Sequence, residues 1–330
     1  MEPILHRDRH HHGLTPDQLR SPSLVHPVDG VSIAREEVGD LVVVCRSIHR
    51  VLPSDVVFTH LTSGRLREWW LPFIPDEPIL ACTGGEAPHH DRRGVYVRRC
   101  DIPVGHRRTV RGVPVASAEW TIVELAEHLS LIDLVVVLDC ALHRGDLTVE
   151  AIRSTMRKGR RGVRVLRRAL DLCDGRSESP WESVLRLLFS LSGIPVDPQV
   201  VLRDASGAFV AWVDLLIRGT NRVAEYDGAG HRDREQHRDD LRREKACARL
   251  GFERFGYTEI EIRNHAALVV RDAEDALGLR PEPSRLKTWN DEFASSSLSP
   301  AGRRALIRRL SRFARTTTPR PPKPASGADL

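Results

Sequence analysis

Three carboxylates lie close together in the most strand-like part of the sequence: Asp214, Glu225 and Asp227. Two β-prone runs flank Gly219-Thr220, and a two-residue Gly-X loop is typical of a type II′ β-hairpin. Pairing outward from that loop places Asp214 opposite Glu225, and side-chain alternation places Asp227 on the same face as Glu225. Like charges on adjacent strands repel. The pattern therefore favours a hard divalent cation, Mg²⁺ or Mn²⁺, held between the carboxylates.

An ordinary polar hairpin is the alternative interpretation of the same residues. A register slip of one residue would move one set of side chains to the other face of the sheet. Asp227-Gly228 also suits a simple turn, with one acid facing solvent. In either case the carboxylates would not share a metal ion.

A longer series of predicted elements would hold these carboxylates in place. Ser179, Pro180 and Glu182 have the residue types favoured at the N-cap, N1 and N3 positions, which predicts a helix start and a capping box. Period-two runs bounded by turn residues predict strands. The pattern predicts the order helix, three antiparallel strands, helix and strand, over 180–192, 199–203, 209–217, 222–227, 231–250 and 252–257.

Composition predicts an ordinary cytoplasmic protein that makes no contact with a membrane. Its six cysteines are scattered without a C-x-x-C pair, as expected for reduced thiols. A buried helix is predicted from Leu131 to His143, and its apolar run is too short to span a bilayer. The net charge of +5 is compatible with a polyanionic partner.

The densest positive charge lies around the run Arg157-Lys158-Gly159-Arg160-Arg161 and continues along the next predicted helix. Arginine and lysine clusters of this kind bind the phosphates of nucleic acids. A contact with DNA is therefore predicted for Arg160, Arg161 and Arg164. The alternative is a solvated helix face.

The predicted order of elements, with Asp on one strand and Glu-x-Asp on the next, resembles the PD-(D/E)XK nuclease superfamily, in the branch related to very-short-patch repair endonucleases. The resemblance rests on S-E-S-P-W-E, V-D-L-L-I, V-A-E-Y-D-G-A-G-H, D-D-L-R-R-E and G-F-E-R-F. With F-T-H-L-T-S-G-R-L and G-V-P-V-A-S-A-E-W-T-I-V-E-L-A upstream, residues 15 to 280 also look like actinobacterial abortive-infection type IV antitoxin-like proteins that end in a nuclease-like domain.

The nuclease resemblance implies roles for individual residues. Asp214 and Glu225 would be metal ligands, and Glu182 would join them unless its capping box accounts for it. Asp227 stands where the superfamily has Lys, a departure that removes the usual cation; His231, or Asp239 with Arg242, is the alternative source of proton transfer. The implied catalytic residues are Asp214, Glu225, Asp227 and His231, and the implied phosphate contacts are Arg232, Arg238, Arg242 and Arg243.

Two functions follow from these resemblances. The first is a Mg²⁺-dependent or Mn²⁺-dependent endonuclease that hydrolyses DNA phosphodiesters in repair or phage defence. The alternative is a non-catalytic DNA-binding regulator, the antitoxin of a type IV toxin-antitoxin system with a cognate toxin as partner.

The fold class predicted is mixed α/β, with a mainly helical N-terminal region that includes a small sheet and a C-terminal restriction-endonuclease-like α-β-β-β-α-β core. Shifts in composition predict four segments. Residues 1–52 are predicted to be a degenerate winged-helix-like or poorly ordered segment, and residues 53–176 an antitoxin-like helical domain with a small sheet. Residues 177–280 are predicted to be the nuclease-like domain, and residues 281–330 a basic flexible tail.

Overall fold

The computed structural model describes residues 2–84, 93–228 and 244–314. The fold is mixed α/β, as predicted, with three β-sheets among the described residues. Residues 2–68, 73–84, 93–121 and 307–314 form one compact unit, and residues 69–72, 122–228 and 244–306 form a second. The boundary predicted between residues 176 and 177 lies inside the second unit.

The first unit begins with an antiparallel sheet of three short strands in the order β1-β3-β2. The strands are β1 (Ile4–Leu5), β2 (Leu24–Val28) and β3 (Val31–Ala34), and helix α1 (Leu41–His49) follows them. This order differs from the predicted winged-helix-like or poorly ordered segment. In residues 2–52 the one α-helix follows the β-hairpin, and the apolar side chains of β3 are buried with those of this helix.

A five-stranded mixed sheet forms the rest of this unit's core, in the order β6-β5-β4-β8-β7. The strands are β4 (Val57–Phe58), β5 (Leu80–Thr83), β6 (Tyr96–Arg99), β7 (Arg107–Val110) and β8 (Val113–Ala116). Helix α2 (His60–Leu66) follows β4 directly, and the side chains of Phe58 and Leu66 are buried with the strands. This arrangement is the small sheet that the sequence predicts.

Five helices then lead toward the carboxylates. They are α3 (Ala118–Leu125), α4 (Leu131–His143), α5 (Val149–Thr155), α6 (Val163–Leu172) and α7 (Pro180–Leu191). Helix α4 has the predicted bounds and is buried on nearly all sides, with Leu134, Val137 and Leu138 fully excluded from solvent. No helix in the described ranges is long and apolar enough to cross a membrane.

The sheet that carries the carboxylates has the order β12-β11-β10-β9. Its strands are β9 (Val196–Arg203), β10 (Phe209–Ile217), β11 (Arg222–Tyr226) and β12 (Glu253–Tyr257). Strands β9, β10 and β11 are antiparallel neighbours, and β12 runs parallel to β11. Helix α7 precedes the sheet and packs on it, and a helical segment over 244–249, α8, precedes β12. The predicted order of elements is confirmed.

The chain after β12 continues in helices rather than in a flexible tail. Helices α9 (Glu259–Asn264) and α10 (Ala266–Ala276) are followed by a short 3₁₀ turn, then by α11 (Lys287–Ser295) and α12 (Pro300–Ala314). The prediction of a flexible segment from residue 281 is wrong for residues 283–314. Buried apolar side chains anchor these helices, at Trp289, Leu306, Leu310 and Phe313.

Candidate functional site

The hairpin that carries the carboxylates has the predicted register. Leu215 pairs with Ala224 and Leu216 pairs with Val223, so the next position outward places Asp214 opposite Glu225. Gly219 in the connecting loop has a φ of 83°, a conformation that favours glycine. The alternative register, with one acid moved to the other face, is therefore excluded.

Asp214 is half-buried and is held to the neighbouring strand. Its Oδ2 accepts a hydrogen bond from the backbone N–H of Tyr226 at 2.9 Å, at the residue directly after Glu225. Asp214 also lines an open surface pocket of about 690 Å³ with Glu178, Gln199 and Trp212 among the described residues. The Asp214 carboxylate therefore supports the hairpin, and the residue also lies at the edge of this pocket.

Glu225 is paired with an arginine from strand β12. The Arg254 Nε donates to Oε2 of Glu225 at 3.0 Å, and the Arg254 Nη2 donates to the same oxygen. The side chain of Glu225 is 10% exposed and that of Arg254 is 20% exposed. Desolvation by burial acts to lower the pKa of Arg254, but the hydrogen bond to Glu225 and the charge of that carboxylate raise this pKa above its ordinary value.

Asp227 follows β11 and extends the same face of the sheet. Its backbone N–H donates to the carbonyl oxygen of Tyr257 at 2.9 Å, which continues the pairing of β11 with β12. A Cβ atom placed on Gly256 would lie 3.7 Å from Oδ2 of Asp227. Gly256 is the partner of Glu225 in the parallel register, so the Asp227 carboxylate lies beside the space above Gly256.

Glu182 is engaged in hydrogen bonds at the start of α7. The Ser179 Oγ accepts from the Glu182 N–H at 3.2 Å, as an N-cap should. The Glu182 carboxylate accepts from the N–H of Glu178 at 2.9 Å rather than from the Ser179 N–H, so the predicted capping box is only half formed. It also accepts from the Gln199 Nε2 at 3.0 Å.

Gln199 connects Glu182 to the carboxylate face. It lies opposite Asp214 in the β9-β10 register, between the pairs Val200 with Val213 and Pro198 with Leu215. Its φ of 51° is uncommon for a residue with a side chain. Glu182 is therefore hydrogen-bonded to the residue opposite Asp214, and its predicted role as a metal ligand stays a prediction.

Among the described residues, the carboxylates of Asp214, Glu225 and Asp227 do not form a set of ligands for a divalent cation. Within residues 2–84, 93–228 and 244–314, no three ligand atoms within 4.8 Å of one another include Asp214, Glu225 or Asp227. One oxygen of Glu225 already accepts from two nitrogens of Arg254, a permanent cation. The predicted catalytic residue His231 and the pair Asp239 with Arg242 lie outside the described residues.

The predicted DNA-binding residues divide into three groups. Arg160 pairs with Glu127, with 3.2 Å between Nε and Oε1 and side-chain exposures of 19% and 15%, and its role as a phosphate contact stays a prediction. Arg161 and Arg164 are exposed at the start of α6. The remaining predicted contacts, Arg232, Arg238, Arg242 and Arg243, lie outside the described residues.

Sequence reasoning missed Arg254 and Gln199. A parallel strand pair brings Arg254 to Glu225 across 29 residues, and no local pattern fixes that register. The available signal was the charge of Arg254 within the short strand-like run F-E-R-F-G-Y. Gln199 had a clearer signal, since its position opposite Asp214 follows from extending the predicted antiparallel pairing by one more strand.

Comparison with known protein families finds a match upstream of this sheet. Residues 46–174 match the AbiEi antitoxin C-terminal domain, a match that ends before α7. Two uncharacterized proteins of Mycobacterium tuberculosis, from strains CDC 1551 / Oshkosh and H37Rv, are each 30% identical over 140 residues, which are 42% of this chain and 48% of each relative. The chain thus spans about half the length of the curated relatives it matches. No solved structure matches the chain.

Proposed function

We propose that this protein is a DNA-binding regulator of the antitoxin type, whose C-terminal sheet serves as a binding platform rather than as a catalytic centre. The observation that carries this proposal is the match of residues 46–174 to the AbiEi antitoxin C-terminal domain. The antitoxin assignment further implies a cognate toxin, whose action the protein would counteract.

The platform role is supported by the packing of the second unit. Asp139 on α4, inside the matched region, accepts from the Arg186 Nη2 of α7 at 2.7 Å, and both side chains are buried. The ion pair ties the first helix of the C-terminal sheet to the antitoxin-like region. The carboxylates of that sheet are also engaged within the protein, Glu225 by Arg254 and Asp214 by the Tyr226 N–H.

The surface proposed to face DNA lies at the start of α6. Arg157, Lys158, Arg161 and Arg164 are exposed there. Arg168, on the same helix, is also exposed but donates to Glu292 at 2.6 Å, so its charge is already compensated. Phosphate contacts release counterions, which makes binding through such residues strongly dependent on salt.

The proposal is tested by measuring the affinity of the full chain for duplex DNA from the region upstream of its own gene between about 50 and 200 mM salt. Arg161→Ala with Arg164→Ala should weaken binding and flatten the plot of log K against log salt by about 0.9 per lost phosphate contact. Arg168→Ala is the matched control and should leave the slope unchanged. Failure of the parent protein to bind any duplex at the lowest salt would refute the regulator.

The toxin partner is tested in cells. Co-expression of the protein with a candidate toxin from a neighbouring gene should restore growth that the candidate alone arrests, and growth that stays arrested would refute that partner. The Arg161→Ala, Arg164→Ala protein separates two routes to that rescue. Retained rescue would show that neutralisation of the toxin does not depend on the proposed DNA contact. Lost rescue would show that neutralisation and DNA binding both need these arginines.

A metal-dependent DNA endonuclease is the second candidate function. It is favoured by one specific observation, the apposition of Asp214 and Glu225 on neighbouring strands of a sheet with the α-β-β-β-α-β order. The test is incubation of supercoiled, linear and mismatched DNA with Mg²⁺ or Mn²⁺, comparing the parent with Asp214→Ala and Glu225→Ala. Cutting that both substitutions abolish would establish the nuclease. Intact DNA, bound equally by all three proteins, would eliminate it.

A further inference from the structure

We propose that helix α12 is a second DNA-binding surface, which contacts the phosphate backbone of a duplex without reading its sequence. This inference rests on the proposed DNA-binding function and adds a contact on an element outside the region matched to the antitoxin domain. Helix α12, Pro300–Ala314, contains five arginines but no lysine and no acidic residue. The arginines, all exposed, are Arg303, Arg304, Arg308, Arg309 and Arg312.

The opposite face of α12 is packed into the protein. Leu306, Leu310 and Phe313 are 1%, 2% and 4% exposed. The centroid of the Phe313 ring lies 5.0 Å from that of Tyr96 and 5.9 Å from that of His60. The helix is therefore folded in the absence of a partner, so that binding through its exposed face does not have to order a new segment of chain.

The start of α12 is held by close contact with the turn before it. The Gly302 N–H donates to the Ser299 Oγ at 2.9 Å, and a Cβ atom on Gly302 would collide with the carbonyl oxygen of Ser296. The Arg303 Nε donates to the carbonyl oxygen of Ser297 at 3.2 Å. Arg303 therefore helps to anchor the helix, and the DNA contact is assigned to the arginines that follow it.

Three of the arginines form a row along the exposed face. Arg304, Arg308 and Arg312 are spaced at i, i+4 and i+8, so successive members lie about 6 Å apart along the helix axis. Like charges at this spacing repel. Within the part of the chain that the structure describes, no carboxylate pairs with Arg304, Arg308 or Arg309. A linear polyanion relieves this repulsion, and arginine can bind a phosphate through two parallel N–H···O bonds.

The burial of the apolar face favours DNA over an anionic membrane as the partner. An amphipathic helix binds a membrane by inserting its apolar face into the lipid. In α12 that face, with Leu306, Leu310 and Phe313, is buried in the protein, and the long side chains on the exposed face are all arginines. Contacts to phosphates carry no sequence information, so α12 should add affinity for every duplex alike.

The test compares the salt dependence of DNA binding by the full chain and by its Arg304→Gln, Arg308→Gln variant. The probes are the duplex from upstream of its own gene and a duplex of the same length with scrambled sequence. Glutamine keeps a high helix propensity and removes both charges. The variant should bind both duplexes more weakly by the same factor and flatten the plot of log K against log salt by about 1.8, which is about 0.9 for each of two contacts. Arg304→Lys with Arg308→Lys should keep the slope of the parent.

The matched control removes two charges from exposed arginines that are already paired. Arg20 pairs with Asp17 at 2.8 Å, and Arg218 pairs with Asp197 at 2.6 Å. Arg20→Gln with Arg218→Gln lowers the net charge by two, as the α12 variant does, and should leave the slope unchanged. Flattening as large as that of the α12 variant would assign the effect to net charge and overturn the inference.

The other outcomes separate this surface from the proposed function. A glutamine variant with the slope and affinity of the parent overturns the inference alone, since Arg161→Ala with Arg164→Ala tests the regulator separately. A parent that binds no duplex refutes both. Weaker binding of the variant to phosphatidylserine vesicles, with DNA binding unchanged, would make α12 a membrane contact and also overturn the inference. If circular dichroism shows that the double variant does not fold, Arg308→Gln replaces it, with an expected change in slope of about 0.9.

Discussion

Two carboxylate-arginine pairs in the second unit have the same chemistry and different surroundings. Asp139 and Arg186 join α4 to α7 at 2.7 Å, with side-chain exposures of 0% and 7%. Glu225 and Arg254 join β11 to β12, with exposures of 10% and 20%. The first pair is buried in the interior, and the second is partly accessible to solvent.

Each side chain of the interior pair also forms a hydrogen bond with a backbone group. Asp139 also accepts from the N–H of Asp174 at 2.7 Å, and Arg186 also donates to the carbonyl oxygen of Leu172 at 2.7 Å. These bonds fix the chain between α6 and α7 against α4. The pair at the sheet lies near two further carboxylates, those of Asp214 and Asp227. The comparison teaches that the free-energy cost of breaking an ion pair depends on how far its surroundings exclude water.

The largest effect is expected from breaking the interior pair. Arg186→Met should leave the Asp139 charge buried without its counter-ion and lower the free energy of unfolding by about 3–5 kcal/mol. Urea denaturation of the full chain at neutral pH measures this loss. Arg168→Met, which breaks the exposed pair with Glu292, is the control and should cost less than about 1 kcal/mol.

A second substitution tests the cause of that loss. Adding Asp139→Leu to Arg186→Met removes the unpaired charge and should restore most of the stability, as apolar replacements of buried pairs commonly do. If the double variant is as unstable as the single one, the two side chains contribute through packing rather than through charge.

An intermediate effect is expected from breaking the pair at the sheet. Arg254→Met in metal-free buffer should lower the free energy of unfolding by about 1–3 kcal/mol, because water reaches Glu225 more easily than it reaches Asp139. The same urea titration measures it, and Glu225→Gln in the same chain should recover part of the loss. A loss as large as that of Arg186→Met would mean that the two regions do not differ as proposed.

The smallest effect is expected at a carboxylate that is held by neutral donors. Glu261 accepts from the N–H and hydroxyl of Thr258 at 2.8 and 2.7 Å, and these hydrogen bonds lower the pKa of its carboxyl. Glu261→Gln should cost about 0.3–1 kcal/mol at neutral pH, where the charge lies at the start of α9.

The pH dependence of that small effect has a defined sign. The folded pKa of Glu261 is lower than its unfolded value of about 4.3. Its contribution is therefore fully present above that unfolded value and is lost as pH falls through the folded pKa. Unfolding curves of the parent and of Glu261→Gln should converge in acid; a difference that grows toward low pH would contradict this assignment.

Local patterns predicted much of the sheet and its register. The Gly-X loop and the alternation of β10 and β11 were enough to place Asp214 opposite Glu225, because a hairpin is a contact between neighbours in the chain. The N-cap at Ser179 and the bounds of α4 were equally local.

Contacts between distant parts of the chain were not predictable in the same way. Arg254 reaches Glu225 through a parallel pairing, and Arg186 reaches Asp139 across 47 residues. Composition also misled, because the charged and proline-containing segment after residue 281 indicated a flexible tail. Large apolar side chains in that segment, among them Trp289 and Leu306, are in fact buried. Asp139 did carry a signal, since an acid within an apolar helix needs a partner when it is buried.

Asp133, at the first turn of α4, has hydrogen-bond partners that are synthesised much later than the helix itself. Its carboxylate accepts from the side chains of Ser296 and Ser297 and from the Ser297 N–H, and it is 4% exposed. Those donors emerge from the ribosome 163 and 164 residues later. At about 5–20 residues per second, α4 waits roughly 8 to 30 s for them. A nascent chain that stalls before residue 296 therefore lacks the donors of Ser296 and Ser297, and of the side-chain partners of Asp133 described here it keeps the Ser130 hydroxyl, which donates to the same carboxylate at 2.8 Å.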